Sequence, residues 1–162
     1  MQLGIIGLGK MGANMARRLR RAEIDVVGFN RDNSTTEKLA KESGLLAAES
    51  IEAMLDALET PRVVWLMLPA GEVTESHIES LRKQLQPGDI LVDGANSWYK
   101  DSMRRGELLA QSAIHFVDAG VSGGVWGLEN GYALMVGGAE EAFSRLRPAI
   151  EALAPAKDRG WV

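Results

Sequence analysis

The sequence predicts an α/β fold with a doubly wound, mostly parallel sheet and helices on both faces. Apolar segments typical of strands alternate with amphipathic segments typical of helices along nearly the whole chain. The segment 63–68 is apolar without alternation, as expected for a parallel strand that is buried on both faces. No internal repeat or low-complexity linker divides the sequence, so we expect one domain.

Four of the six predicted helices have a periodic apolar stripe or a terminal signal. The first presents Met11, Met15 and Leu19 at four-residue spacing. Gly44 stands where the second helix would end in a glycine cap, and Ser50 is a good N-cap for the third. The sequence predicts helices over 10–21, 34–42, 51–58, 72–85, 98–112 and 140–153.

The strands are assigned to the apolar segments that lie between these helices. Glycine or a Pro-Gly turn bounds several of them, which indicates where each strand begins or ends. We expect Trp65 in the core, whereas Trp98 and Trp126 adjoin loops that can line a pocket. The sequence predicts strands over 2–7, 24–29, 45–48, 63–68, 89–93, 114–118 and 132–136.

Composition excludes several classes of function. The formal net charge is -4, from 18 basic and 22 acidic residues, which argues against nucleic-acid binding. The chain has no cysteine, so disulfides, thiolate metal sites and thiol nucleophiles are excluded. No apolar run is long enough to cross a membrane, and the first strand begins at Gln2, so we expect a cytoplasmic protein without a leader.

The turn after the first strand matches the pattern G-x-G-x-x-G, in the strand-to-helix context that predicts dinucleotide binding in a Rossmann-type fold. The first glycine permits the tight turn, the second lets backbone approach a pyrophosphate, and the third allows close helix packing. A P-loop is excluded because Met11 stands where that motif needs Ser or Thr. The predicted pyrophosphate site comprises Gly7, Leu8, Gly9, Lys10, Met11 and Gly12.

The end of the second strand predicts the contact with the adenosine ribose. Asn30 is neutral and tolerates a 2′-phosphate, and Arg31 can stack on adenine or pair with that phosphate. Asp32 would repel the phosphate, so the sequence favours NAD over NADP. The alternative is that Arg31 and Asp32 only cap the following helix.

Two later segments follow strand ends on the same predicted edge of the sheet, where ligands bind in open α/β folds. The first is 93–105, which contains Asn96 and Ser97, and the second is 116–124, which ends in Ser122-Gly123-Gly124. Small residues and a hydroxyl suit close contact with a polyhydroxy acid. A helix cap at Asn96-Ser97 and a flexible turn at 122–124 are the structural alternatives.

Together, the glycine turn with Asn30-Arg31, the Asp-Gly-Ala-Asn-Ser-x-Tyr-x-Asp segment and the Val-Ser-Gly-Gly segment resemble decarboxylating 6-phosphogluconate dehydrogenase. The resemblance implies that the glycine turn and residues 30–32 bind NAD or NADP. It further assigns Leu68, Pro69, Ala70 and Asn96 to the cofactor, and Asn96, Ser122, Gly123 and Gly124 to 6-phosphogluconate. Two departures are Asp32, where the family's NADP enzymes usually carry Thr, and the segment 125–130.

The family reaction is hydride transfer from the sugar acid to nicotinamide, followed by loss of carbon dioxide and protonation, without a metal. Its lysine base and glutamate acid lie in a C-terminal all-helical domain, which the resemblance implies beyond Val162. We therefore expect no catalytic residue within 1–162. We expect a larger enzyme, homodimeric through that domain, whose cofactor half alone is monomeric and does not turn over. Solvated or structural roles are expected for His77, His115, Lys10, Lys38, Lys41, Lys83, Lys100 and Lys157.

Two other functions stay open at this point. One is the cofactor domain of a β-hydroxyacid dehydrogenase that acts on a small acid such as 3-hydroxyisobutyrate, since the Ser-Gly-Gly element is shared with that wider group. The other is a dinucleotide-sensing module without catalysis, which would explain the missing base but not the two substrate-type loops.

Overall fold

The computed structural model describes residues 1–156, and one sheet of seven strands runs through them in the order β3-β2-β1-β4-β5-β6-β7. All neighbours are parallel except β6 and β7, which confirms the predicted doubly wound, mostly parallel sheet. The strands are β1 (Gln2–Ile6), β2 (Asp25–Phe29), β3 (Leu46–Ala47), β4 (Val63–Leu66), β5 (Ile90–Asp93), β6 (His115–Ser122) and β7 (Ala133–Gly138).

Two expectations from the sequence fall outside the described residues. Lys157, expected to be solvated, belongs to the segment 157–162. The catalytic lysine and glutamate were expected beyond Val162, which ends the same segment. The structure therefore tests neither expectation, and both stay predictions.

Helices cover both faces of the sheet, because burying the apolar side chains on each face away from water stabilises the fold. On one face, Met15 and Leu19 of the first helix are fully buried in a cluster with Leu146 and Leu153 of the last helix. On the other, Ile78 and Leu81 pack against the opposite sides of the strands. The helices are α1 (Lys10–Arg21), α2 (Asn33–Ser43), α3 (Ile51–Ala57), α4 (Glu72–Arg82), α5 (Tyr99–Ala110), α6 (Gly127–Asn130) and α7 (Glu140–Leu153).

The predicted terminal signals are present in the structure. The hydroxyl of Ser50 accepts a hydrogen bond from the N–H of Ala53 at the start of α3. Gly44 ends α2 with a φ of 72°, the left-handed conformation that glycine adopts without strain. Trp65 is fully buried, as expected.

In the C-terminal third the helix predicted over 140–153 is confirmed, but the predicted ends of two strands are wrong. The predicted strand 114–118 continues to Ser122, because the segment 119–122 pairs antiparallel with β7. The predicted strand 132–136 begins one residue later and extends to Gly138. Between these strands lie a short 3₁₀ helix, Gly124–Trp126, and α6, neither of which was predicted. Both are too short to have an amphipathic period.

Arg18 fastens α1 to the end of the chain's described part. Its guanidinium donates hydrogen bonds to the carbonyl oxygens of Leu128, Ala152 and Ala154 at 3.1, 2.9 and 2.7 Å. These carbonyls belong to the last four residues of α6 or α7 or to the residue just after α7, where a helix leaves oxygens without an internal partner. The cluster of arginines on α1 therefore has a structural explanation in the intramolecular contacts of Arg18 and of Arg17, which pairs with Glu42.

Candidate functional site

The glycine turn brings backbone N–H groups to the carboxyl edge of β1. Gly7 has a φ of 97°, and a Cβ on it would lie 2.4 Å from the carbonyl oxygen of Met67. A Cβ on Gly12 would lie 2.0 Å from the carbonyl oxygen of Gly7, so both positions require glycine. Gly9 is the N-cap of α1 and offers no side chain to the first-turn N–H groups, which remain available to an anion.

A cavity of about 530 Å³ lies beside this turn, between the end of β2 and the start of α4. Seven of the predicted cofactor residues line it: Gly7, Gly9, Asn30, Arg31, Asp32, Leu68 and Pro69. Sequence reasoning missed six further lining residues. Ile6, Ile51, Met67 and Val73 have aliphatic or thioether side chains, which in a sequence indicate core positions as readily as a ligand site. The other two are Phe29 and His77.

The other predicted cofactor residues do not line this cavity. Leu8 is buried in the core, and Met11 packs against the same apolar cluster. Lys10 and Ala70 are exposed. Asn96 lines a second cavity, described below.

The end of β2 is tied to the glycine turn by a side chain. The Oδ1 atom of Asn30 accepts a hydrogen bond from the N–H of Leu8 at 3.1 Å, which fixes the two loops relative to each other. Asp32 is the N-cap of α2, and its carboxylate accepts hydrogen bonds from the N–H and hydroxyl of Ser34. These bonds, that from the Ser34 hydroxyl foremost, lower the pKa of Asp32, so its charge is present at neutral pH. The capping role foreseen for Asp32 is thus present at the rim of the cavity.

A second cavity of about 440 Å³ adjoins the loop that follows β5. Asn96 has a φ of 56°, and its amide makes two hydrogen bonds to the backbone of Val121, one to the N–H at 2.8 Å and one to the carbonyl at 3.1 Å. This pairing holds the Asn96 loop beside Ser122, Gly123 and Gly124. The N-cap of α5 is Trp98, so Asn96 and Ser97 do not cap that helix.

The second cavity has polar and apolar lining residues. It is lined by Asn96, Ser97, Asp118, Gly120, Met135, Val136 and Gly137. Ser122, Gly123 and Gly124 are exposed next to it but do not line it. Asp118 was not singled out from the sequence, because the pattern marked it only as the last residue of a strand.

A buried ion-pair network supports the Asn96 loop. Arg105 of α5 is 1% exposed, and its guanidinium contacts the carboxylate of Asp93, which is fully buried, at 2.9 Å. The same guanidinium donates to the hydroxyl of Ser97 at 2.9 Å and reaches Glu75 of α4 at 2.8 Å. Asp93 also accepts from the hydroxyl of Ser97 and the N–H of Ala95. The network therefore joins the end of β5, the loop after it and the start of α4.

Glu75 is the partly exposed end of this network. A bidentate contact with Arg104, at 2.8 Å for both oxygens, is the main reason why the pKa of Glu75 falls from 4.5 to about 2. Hydrogen bonding from Arg105 adds to this effect, while partial burial opposes it. Both arginines thus hold Glu75 ionised well below neutral pH.

Four lysines and His115 do not line either cavity. Lys38 and Lys41 lie on α2, and Lys83 ends α4. Lys100 is exposed and stacks over Trp98, with Nζ 5.2 Å from the ring centroid. His115 is the first residue of β6, so it lies at the amino-terminal edge of the parallel strands, whereas both cavities lie at their carboxyl-terminal edge. Within residues 1–156, no cluster of three or more acidic or histidine side chains could hold a metal, and no helix combines the length and apolar content of a membrane span.

Comparison with known proteins agrees with this geometry. The family profile described as the NAD-binding domain of 6-phosphogluconate dehydrogenase matches residues 2–159. The NADP(+)-dependent, decarboxylating 6-phosphogluconate dehydrogenase of Bacillus subtilis is 42% identical over 160 residues, covering 97% of this chain and 34% of that protein. The decarboxylating enzyme of Haemophilus influenzae is 38% identical, covering 98% of this chain and 34% of its own length.

Solved structures point the same way. The 6-phosphogluconate dehydrogenase of Plasmodium falciparum superposes with a TM-score of 0.90 at 28% identity, over 96% of this chain and 34% of that one. The 3-hydroxyisobutyrate dehydrogenase of Mycobacterium tuberculosis gives 0.83 at 30% identity, over 94% and 52%. The chain spans about a third of the curated relatives' length, 34% in each case. By profile, sequence and fold, the chain belongs to the family of 6-phosphogluconate dehydrogenase NAD-binding domains.

Proposed function

We propose that this chain is the cofactor half of an enzyme that oxidatively decarboxylates 6-phosphogluconate to ribulose 5-phosphate while reducing NAD or NADP. The observation that supports the proposal is the parallel order β1-β4-β5-β6, because the glycine turn and the Asn96 loop then follow their strands at the same carboxyl edge of the sheet. The glycine turn with its adjoining cavity and the second cavity lie at this one edge, an arrangement that suits hydride transfer between two bound ligands.

The residues present fit a dinucleotide. A Cβ built on Gly9 meets no atom within 4 Å, so the backbone there is open to a pyrophosphate, and the N-terminus of α1 supplies N–H donors to it. Asn30, Arg31 and Asp32 then lie where the adenosine ribose is expected. When bound, the nicotinamide ring accepts the hydride. The chain's own residues orient the two ligands, and the proton-transfer groups are expected in a helical domain beyond Val162.

Gly9→Ala tests dinucleotide binding. The φ of Gly9 is -67°, which alanine adopts readily, so the variant should unfold at the wild-type temperature. The added methyl group would stand between the backbone and the pyrophosphate, and we expect at least about tenfold weaker binding of NADH or NADPH by calorimetry. Gly106→Ala is the matched control, because its Cβ would make an ordinary 3.6 Å contact with Phe116. Equal binding by wild type and Gly9→Ala would contradict the proposal.

The preference for NAD over NADP rests on Asp32. Its ionised carboxylate at the rim of the cavity would repel a 2′-phosphate, whereas Asn30 and Arg31 accept either cofactor. The Bacillus subtilis relative is NADP(+)-dependent by its name, so the proposed preference would distinguish this chain from that relative. Asp32→Thr keeps an N-cap oxygen for α2 and removes the charge. We expect NADP binding to improve about tenfold relative to NAD, because removing one carboxylate near a doubly charged phosphate in water relieves about 1–2 kcal/mol of repulsion. A wild-type preference for NADP would overturn this assignment.

We assign the substrate to the second cavity, which Asn96 lines, and to Ser122, Gly123 and Gly124, which are exposed next to it. Calorimetric titration of 6-phosphogluconate in the presence of NAD(P)H should show binding, and Ser122→Ala should weaken it. A pure dinucleotide sensor would show no response to 6-phosphogluconate. We expect no turnover by the isolated chain, which should sediment as a monomer, while the complete enzyme is a homodimer.

A 3-hydroxy acid is the second candidate substrate. The TM-score of 0.83 with a 3-hydroxyisobutyrate dehydrogenase favours it, since the two chains share the cofactor fold. The same titration with 3-hydroxyisobutyrate separates the two, because tighter binding of the smaller acid than of 6-phosphogluconate would replace the first candidate by the second.

A further inference from the structure

His77 lines the cavity beside the glycine turn, and the roles proposed above for the glycine turn and the substrate loops give His77 no function. It belongs to α4, and its side chain lines the cavity that Asn30 and Arg31 also line. Its Nδ1 atom lies 2.8 Å from the carbonyl oxygen of Val73, one turn earlier on the helix. Because a carbonyl oxygen only accepts hydrogen bonds, Nδ1 carries the proton, and Nε2 of the neutral ring has a free lone pair.

The position of His77 matches one part of a bound dinucleotide. The pyrophosphate belongs at the glycine turn and the adenosine ribose at the end of β2. The same cavity continues from the end of β2 to Val73 and His77 of α4, so we expect the base attached to that ribose to lie against α4. The wall there is apolar: Val73 is 44% exposed, and Ile51 and Pro69 complete the surface. Such a surface suits the face of a planar base, but it cannot tell one purine from another.

We propose that His77 reads the identity of the base, with Nε2 accepting a hydrogen bond from the 6-amino group of adenine. The hydrogen bond to Val73 fixes the ring and its tautomer, so the acceptor is already oriented. Hypoxanthine has a carbonyl oxygen in place of that amino group and would set two acceptors against each other. His77 is therefore a specificity-determining residue for adenine, an inference that rests on the proposed dinucleotide binding.

The test compares NADH with reduced nicotinamide hypoxanthine dinucleotide, both titrated calorimetrically into the purified chain. The wild type should prefer NADH about tenfold, as expected when one hydrogen bond is lost and an acceptor pair is created. His77→Phe keeps a ring on the wall without an acceptor, so the preference should fall below about twofold. His77→Gln can rotate its amide to suit either base, so it should bind both at close to the wild-type affinity for NADH.

His115→Phe is the matched control, because this second histidine lines a different cavity with Gly88 and Glu141. It should retain the full preference for NADH. A tenfold preference that survives in His77→Phe, or that disappears in His115→Phe, would overturn the assignment of His77. Equal wild-type affinity for the two dinucleotides would overturn it while leaving the proposed function intact. Failure of the wild type to bind either one would overturn the proposed function and this inference together.

Discussion

Replacing Arg105 with methionine should destabilise the domain far more than the same change at its neighbour, Arg104. Methionine approximates the length of the arginine chain but donates no hydrogen bond. In Arg105→Met, the carboxylate of Asp93 loses the cation that lies 2.9 Å away, while both side chains are at most 1% exposed. Only the N–H of Ala95 and the hydroxyl of Ser97 would still donate to it.

The expected magnitude follows from this burial. Removing one partner of a buried ion pair costs about 3–5 kcal/mol, because the remaining charge stays out of water without compensation. For a domain of this size, each kcal/mol lowers the melting temperature by about 2–4 °C, so a fall of about 6–20 °C is expected. Arg104 is 51% exposed and contacts Glu75 at the surface. Arg104→Met should cost less than about 1 kcal/mol.

Thermal unfolding followed by circular dichroism at pH 7 measures both variants. Adding Asp93→Asn to Arg105→Met should recover part of the loss, since a neutral amide needs no cation. Binding of 6-phosphogluconate should weaken in Arg105→Met, because the Asn96 loop loses its support at Ser97. Equal melting temperatures for Arg104→Met and Arg105→Met would refute this account of the network, as would a double variant less stable than Arg105→Met alone.

Three further predictions concern stability. Gly12→Ala should lower stability by about 2–4 kcal/mol, since its Cβ would lie 2.0 Å from the carbonyl oxygen of Gly7; an unchanged urea midpoint would be inconsistent with that contact. Because the pKa of Glu75 is lowered to about 2, its stabilisation is complete above about pH 5 and is lost as the pH falls toward 2. Glu75→Gln, about 1 kcal/mol less stable at pH 7, should therefore converge with the wild type near pH 2, and a constant difference would speak against the shift. Arg18→Met should cost about 1–3 kcal/mol and speed hydrogen exchange at the end of α7, and slow exchange there would exclude the proposed fastening.

Sequence reasoning recovered the fold because its signals are local. The apolar run at β4, the caps at Ser50 and Gly44 and the glycine turn each depend on residues within a few positions of one another. The extension of β6 to Ser122 depends on pairing with β7, a partner outside the segment itself. No local pattern in 119–122 specifies that pairing, so the predicted strand ended too early.

The residues of the candidate site likewise fall into those that a local pattern predicts and those that depend on tertiary packing. Asn30 and Asp32 could be found at a fixed distance from the glycine turn, and the cavity contains both. The buried position of Arg105 could not be predicted from the sequence. Arg104 and Arg105 are adjacent, and only the rotation of α5 about its axis relative to the sheet decides which of the two faces inward. His77 was interpreted as solvated or structural, since its place on the cavity wall depends on how α4 packs beside β2.

The fastening of α1 by Arg18 sets an order of assembly during synthesis. The carbonyl oxygens that it binds belong to residues 128, 152 and 154, more than a hundred positions later in the chain. The buried face of α1 likewise packs against α7. A nascent chain therefore translates its glycine turn first but secures the helix behind that turn among its last native contacts. The helix behind the earliest motif is therefore fully packed only after the last described helix has been synthesised.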